Sequence, residues 1–148
     1  MATIEAAVEI EAPLADVWEL YFDRDRWPSW VDGYAAVVRS DGYPDAGGEL
    51  VWRSNEAGRG EVRERVLAHE PRTLHRIEYE DPESCGTLET RFAIAPAAEP
   101  VTRVAQRLDY GLRGGGPLRR LTDLLFIRAQ MRGSLARSLG ALRLEANG

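Results

Sequence analysis

Two charged side chains fall where the apolar pattern predicts buried faces, and they are the first candidates for chemistry. Arg128 lies inside a helical stripe, one turn after Leu124/Leu125 and one turn before Met131, with Leu135 beyond. A guanidinium buried without a partner is prohibitive, so Arg128 must pair internally, extend its head to water or meet a ligand. In the ligand reading it anchors a carboxylate or other anionic head group. In the structural reading it is half of an ion pair or a surface arginine. Glu64 shares a strand face with Val62 and Val66 and points inward if they do. Burial would raise its pKa and suit it to acid or base work, whereas an arginine beside it would lower the pKa again and make the pair structural.

Thr90, Gln106 and Tyr110 sit on the apolar faces of their strands. There they supply the few convergent hydrogen-bonding groups of a ligand pocket, or the cross-strand bonds of an ordinary core. Trp30, Trp52, Phe92 and Met131 are candidate cavity walls, although large aromatics also fill plain cores. His75 is a candidate base whose direction depends on strand parity. If Ile77 and Tyr79 face the core, His75 comes with them and Arg76 and Glu78 are solvated. If Leu74 sets the parity, Arg76 and Glu78 line the cavity instead. The pattern leaves both open.

Much chemistry is excluded. All nineteen basic residues are arginine, so Schiff-base catalysis, a lysyl-PLP aldimine and a P-loop lysine are ruled out. Neither Gly-x-Ser-x-Gly nor His-Glu-x-x-His occurs, and no Ser/His/Asp or Cys/His spacing organises a nucleophile. No residue is therefore assigned a catalytic role. The lone cysteine, Cys85, reads as a bystander in a turn, and with His69 and His75 it makes too few soft ligands for structural zinc. The carboxylates lack ligand-like spacing, so neither metal nor cofactor is expected.

The elements that must position these side chains can be read from periodicity. Ile4, Ala6, Val8 and Ile10 alternate with polar or small residues, predicting a half-buried strand over Thr3 to Ile10. After Ala12-Pro13, Leu14, Val17, Trp18 and Tyr21 define a short amphipathic helix. Asp25 is placed to cap a second short helix bearing Trp27-Pro28-Ser29-Trp30. Turn signals at 41–48, 55–60, 69–73, 81–86 and 95–100 then separate six strands, at about 34–40, 48–54, 60–68, 73–80, 86–95 and 101–112. Such short loops imply an antiparallel meander. After Arg113, Gly114-Gly115-Gly116 reads as a hinge, and a helix of roughly 43 Å runs from Pro117 to about Glu145. Its apolar stripe is Leu118, Leu121, Leu124/Leu125, Met131, Leu135, Leu139 and Leu142.

The 148 residues, 44% hydrophobic and with a net charge of −5, predict one globular domain spanning 1–148. No apolar run is long enough to span a bilayer and the start is acidic and alternating, so no stable membrane insertion and a cytoplasmic address are expected. Residues 1–100 carry ten arginines against twenty-one carboxylates, and residues 101–148 carry nine against three. The tail's arginines are spread around a helix, which favours docking on the acidic remainder of the domain over a nucleic-acid partner. The rival reading gives the basic helix face a protein partner or an anionic membrane. A homodimer is compatible with the sequence.

One strand, two short helices, six strands and a long terminal helix form an order that resembles the helix-grip fold of the START-like, or SRPBCC, superfamily. Local matches are Ala12-Pro13 with Val17-Trp18 behind it, Trp27-Pro28-Ser29-Trp30, the Glu70-Pro71-Arg72 turn leading to Leu74, and Leu135-Ala-Arg-Ser-Leu139-Gly-Ala-Leu142. They look most like the polyketide cyclase/dehydrase and lipid-transport-like branch. The resemblance implies an α+β fold with a curved seven-stranded antiparallel sheet around a long C-terminal helix. It also implies a hydrophobic or amphipathic small-molecule ligand, such as a lipid, polyketide or quinone, held between sheet and helix. Anionic or polyphenolic molecules with an apolar body would suit that site. The alternative it carries is a cyclase or dehydrase with Glu64, Tyr110 or His75 handling protons, so whether the chain is an enzyme stays open.

Overall fold

In the computed structural model, residues 2–55, 60–113 and 117–148 are described, the last with side chains from 125 onward. Strand β1 (Ala2–Ile10) leads into helix α1 (Leu14–Phe22), a 3-10 turn at Arg24–Arg26 and the single-turn helix α2 (Trp27–Trp30). Strands β2 (Tyr34–Asp41), β3 (Glu49–Ser54), β4 (Glu61–Glu70), β5 (Leu74–Glu80), β6 (Ser84–Ile94) and β7 (Thr102–Leu112) follow, and helix α3 (Pro117–Asn147) closes the fold. The seven strands form one curved antiparallel sheet in the order β1-β7-β6-β5-β4-β3-β2. Consecutive strands from β2 onward are neighbours because short turns join them, and β1 pairs with the last. This is the α+β helix-grip architecture.

Helix α3 packs on β1 and α2, with Leu139 and Leu142 buried and Ile127, Met131 and Leu135 half-buried. The expected stripe shifts here. Leu125 is 78% exposed and Ile127 packs inward instead, while the side chains of Leu118, Leu121 and Leu124 lie outside the described residues, as does Gly114–Gly116. Asp25 does not cap α2, whose N-cap is Arg26 and carries no side-chain cap bond; Asp23 caps the preceding 3-10 turn, its carboxylate accepting the Asp25 N–H at 3.2 Å. Cys85 lies in β6 rather than in a turn, because Asp81 tightens the preceding hairpin. Its Oδ1 accepts the N–H groups of Glu83 at 2.9 Å and Ser84 at 2.8 Å, so pairing starts at once. Among the described residues, no helix is long and apolar enough to cross a membrane.

The parity of β5 is resolved in favour of Ile77 and Tyr79: both are buried with His75, while Arg76 and Glu78 are exposed. Arg76 reaches Glu89 on the outer face of β6 at 2.7 Å. On β4, Val62 and Val66 are buried with Glu64 half-buried between them, and then a bulge intervenes. Val66 pairs with Ile77, Ala68 with Arg76 and His69 with His75, so the register shifts between Val66 and Ala68. A bulge adds one residue to one strand and thereby reverses the inside-outside alternation beyond it. It leaves Leu67 at 42% exposure and brings His69 onto the same face as His75.

Candidate functional site

A cavity of about 390 Å³ lies between the concave sheet face and the three helices. Register builds its floor. His75, Thr90 and Gln106 are successive Cα partners on β5, β6 and β7, so three polar side chains form a row across the sheet. The next inward row, Ile77, Leu88 and Leu108, is apolar. Tyr21 comes down from α1, where the spacing of Val17 and Tyr21 buries both. Its hydroxyl lies 3.1 Å from Thr90 Oγ1 and accepts from Gln106 Nε2 at 3.1 Å, while the same amide nitrogen donates to Thr90 Oγ1 at 3.3 Å. Burial pushes the Tyr21 phenol up to about 12, against the opposing Thr90 hydrogen bond, so it stays protonated.

Aromatic rings supply much of the wall: Trp27 and Trp30 from α2, Tyr34, Tyr43, Trp52 and Tyr79. Trp27 is fixed by donating Nε1–H to the Tyr21 carbonyl at 2.9 Å. Glu64 accepts the Trp52 indole N–H at 2.7 Å. Burial, and then the Glu64 charge, hold the Tyr43 phenol well above its ordinary range. His75 is pushed down to about 3, chiefly by burial, so its imidazole is neutral; its Nδ1 lies 3.0 Å from His69 Nδ1. Part of the cavity lining is a clasp between the α2–β2 turn and α3. Asp32 accepts from Ser134 Oγ at 2.8 Å and from Arg137 at 3.2 Å, and its own N–H donates to Ser138 Oγ at 2.9 Å. Residues 134, 137 and 138 share one helical face, which is why all three reach one aspartate.

Trp30, Trp52, Glu64, Thr90, Gln106 and Met131 therefore line one cavity. Phe92, Tyr110 and Arg128 lie outside its lining. Phe92 packs edge-on against Trp18 and Tyr21, with ring centroids 4.8 and 5.2 Å away. Tyr110 is buried one row beyond Leu108, and its hydroxyl has no hydrogen-bond partner among the described residues. Burial raises its pKa, while the charges of Arg128 and Arg132 oppose that rise. Arg128 is half-buried near this phenol rather than on the cavity wall.

Several wall residues carry little sequence signal. Tyr21 reads only as a member of an amphipathic stripe, Tyr43 lies in a turn and Asp32 in a connection. Among the described residues, no group of three or more His, Cys, Asp or Glu side chains is arranged to hold a metal ion. Three buried polar atoms on cavity-lining residues have no hydrogen-bond partner among the described residues: Trp30 Nε1, His75 Nε2 and Gln106 Oε1. Buried polar atoms are nearly always paired, which makes three around one cavity notable.

Comparison with curated protein sequences finds no match. Among solved structures, the chain resembles an aromatase/cyclase from Streptomyces sp. R1128, at 18% identity and a TM-score of 0.73 over 99% of this chain and 93% of that one. It also resembles a protein from Thermus thermophilus, at 18% identity and a TM-score of 0.71 over 98% and 97% of the two chains. A third is norcoclaurine synthase from Thalictrum flavum in complex with dopamine and hydroxybenzaldehyde, at 15% identity and a TM-score of 0.64 over 97% and 87%. At such identities the likeness speaks to the fold alone. In sequence, the profile described as polyketide cyclase/dehydrase and lipid transport matches residues 1–147, and the chain belongs to that family.

Proposed function

We propose that the protein binds a small molecule with an apolar body in the cavity between its sheet and α3. The observation that carries this reading is the hollow itself: about 390 Å³, walled by aromatic rings and floored by polar groups with unused hydrogen-bonding capacity. That volume and that mix of apolar wall and few polar groups are those of a ligand site. Membership of a polyketide cyclase/dehydrase and lipid transport family supports the same class of ligand.

Titration with the uncharged fluorophore 1-aminoanthracene tests the reading. Saturable binding at one site per chain is expected, and it should weaken sharply when Leu88→Trp fills the space. Absence of saturable binding to the wild-type protein overturns the reading whatever the variant does.

A second reading, proton-transfer catalysis on the bound molecule, is favoured by one specific arrangement. The Glu64 carboxylate and the neutral His75 imidazole belong to the walls of the same largely apolar cavity. Tyr110, the third group expected to handle protons, lies outside that lining. Turnover of a poly-β-keto substrate that collapses in Glu64→Gln would favour the enzyme; binding with no turnover would favour a carrier.

A further inference from the structure

The polar row on the cavity floor specifies one chemical group of the bound molecule, given the reading above that the cavity holds one. Gln106 Nε2 carries two hydrogens, one directed to the Tyr21 hydroxyl and one to Thr90 Oγ1. Tyr21 and Thr90 carry one hydroxyl hydrogen each, and the 3.1 Å contact between them uses one of the two. Among the described residues, what remains is one hydroxyl hydrogen without an acceptor and, on the Gln106 amide, the buried Oε1 without a donor. Exchanging the amide nitrogen and oxygen does not remove the surplus. It would leave only the two hydroxyl hydrogens to serve three contacts, so one oxygen–oxygen contact would lack a hydrogen, and it would strand both amide N–H groups.

Gln106, Thr90 and Tyr21 are 5%, 1% and 8% exposed, so bulk water does not reach the triad freely. His75, the cross-strand partner of Thr90, adds a third group, Nε2. Its role is adaptable, because the 3.0 Å contact to His69 holds one hydrogen between the two Nδ1 atoms and either ring can supply it. The floor offers a donor, an acceptor and a convertible nitrogen, with no formal charge.

A hydroxyl group fits this set, since it donates and accepts at one oxygen. A bare carbonyl would take the donor and leave Gln106 Oε1 unmatched. A carboxylate would do the same and bring a charge for which the floor has no cation. Arg137, the one basic residue lining the cavity among the described residues, is engaged with Asp32, and Arg128 lies outside the lining. We propose that Gln106, Tyr21 and Thr90 form a recognition site for an uncharged phenolic or enolic hydroxyl on an otherwise apolar ligand, and that the site discriminates against carboxylates.

A matched ring series tests this by calorimetry and tryptophan quenching: naphthalene, 2-naphthol and 2-naphthoate at neutral pH. The expected order is 2-naphthol tightest, by about tenfold over naphthalene, with 2-naphthoate weakest. Gln106→Leu should remove the preference for 2-naphthol while keeping naphthalene binding, and Thr90→Val should reduce it. Equal binding of naphthalene and 2-naphthol by the wild type overturns the proposal, as does tighter binding of 2-naphthoate, with the cavity reading left standing. A preference that survives in folded Gln106→Leu also overturns it. Failure of all three compounds to bind, together with failure of 1-aminoanthracene, overturns both readings. The wild-type order decides even if a variant does not fold.

Discussion

His69 Nδ1 and His75 Nδ1 lie 3.0 Å apart with their rings at 87°, and they are partners across a strand pair whose register was shifted two residues earlier. One Nδ1 carries the hydrogen and the other accepts it, so the contact survives protonation of one ring and is lost only when both rings are imidazolium; what keeps His75 neutral is its burial.

The burial of His75 makes stability depend on pH in the mildly acidic range. Burial, and then the neighbouring His69, depress His75 from 6.5 to about 3, and burial lowers His69 in the same direction. The unfolded chain therefore takes up protons between 6.5 and about 3 that the native state refuses. The contribution is fully present above pH 6.5 and is lost as pH falls through the window. Urea unfolding should show about 2 kcal/mol less stability near pH 5 than near pH 7, from His75 alone. The Glu89 carboxylate is held below its ordinary 4.5 by Arg76, so its contribution is lost only at lower pH. His75→Gln should flatten the slope above pH 5, and a flat wild-type profile would contradict the assignment.

How far the site was legible follows from where local pattern ends. Two-residue alternation along β6 and β7 placed Thr90 and Gln106 inward, since both strands run without interruption for 11 residues. The inward face of β5 was ambiguous because Leu74 and Ile77 are both buried yet differ in parity. His69 was invisible: alternation from Val62, Glu64 and Val66 sends it outward, and only the bulge before Ala68 turns it in. Bulges are set by pairing between strands, which a single strand's pattern does not encode. Tyr21 and Asp32 reach their partners across 69 and 102 or more residues of chain, contacts no short window can register.

Gly86 supplies the next prediction. A Cβ built there would lie 1.9 Å from the Asp109 carbonyl oxygen and 2.8 Å from Tyr110 Cα, both backbone atoms of the paired β7. Neither can rotate away, so alanine would have to push the strands apart. Gly86→Ala is expected to cost about 1–3 kcal/mol in urea unfolding. Because the same ladder aligns Thr90 with Gln106, the variant should also weaken 2-naphthol binding. A wild-type midpoint would show that the strands separate without cost.

The Asp32 clasp should control exchange more than affinity. Its bond from Ser134 Oγ, at 2.8 Å, is charge-assisted and half-buried, whereas the Arg137 side chain is 61% exposed and adds little. Asp32→Ala is expected to lower stability by about 1–2 kcal/mol. It removes the side-chain links to Ser134 and Arg137 while the backbone N–H bond to Ser138 stays, so the turn is held less firmly to α3 and stopped-flow dissociation of 1-aminoanthracene should quicken. Gly33, with φ 75°, lets the backbone turn next to the clasp. Unchanged dissociation would place the entrance elsewhere.

Arg128 decides between two ways of reading a helix face. Its spacing aligns it with Met131 and Leu135, but Ile127, one position earlier, lines the cavity instead. At about 100° per residue, lining positions 127, 131, 134, 135 and 138 centre on the side of Met131 away from Arg128, which falls at the edge of that face. Arg128→Met should therefore leave the affinity for 1-aminoanthracene and 2-naphthol unchanged. It should act on Tyr110, whose phenol burial raises and Arg128 lowers. Removing that charge should shift the Tyr110 titration upward in a spectrophotometric comparison with Arg128→Met/Tyr110→Phe. Loss of ligand affinity in Arg128→Met, with the Tyr110 titration unmoved, would return the guanidinium to the cavity wall and reopen a place there for an anionic ligand.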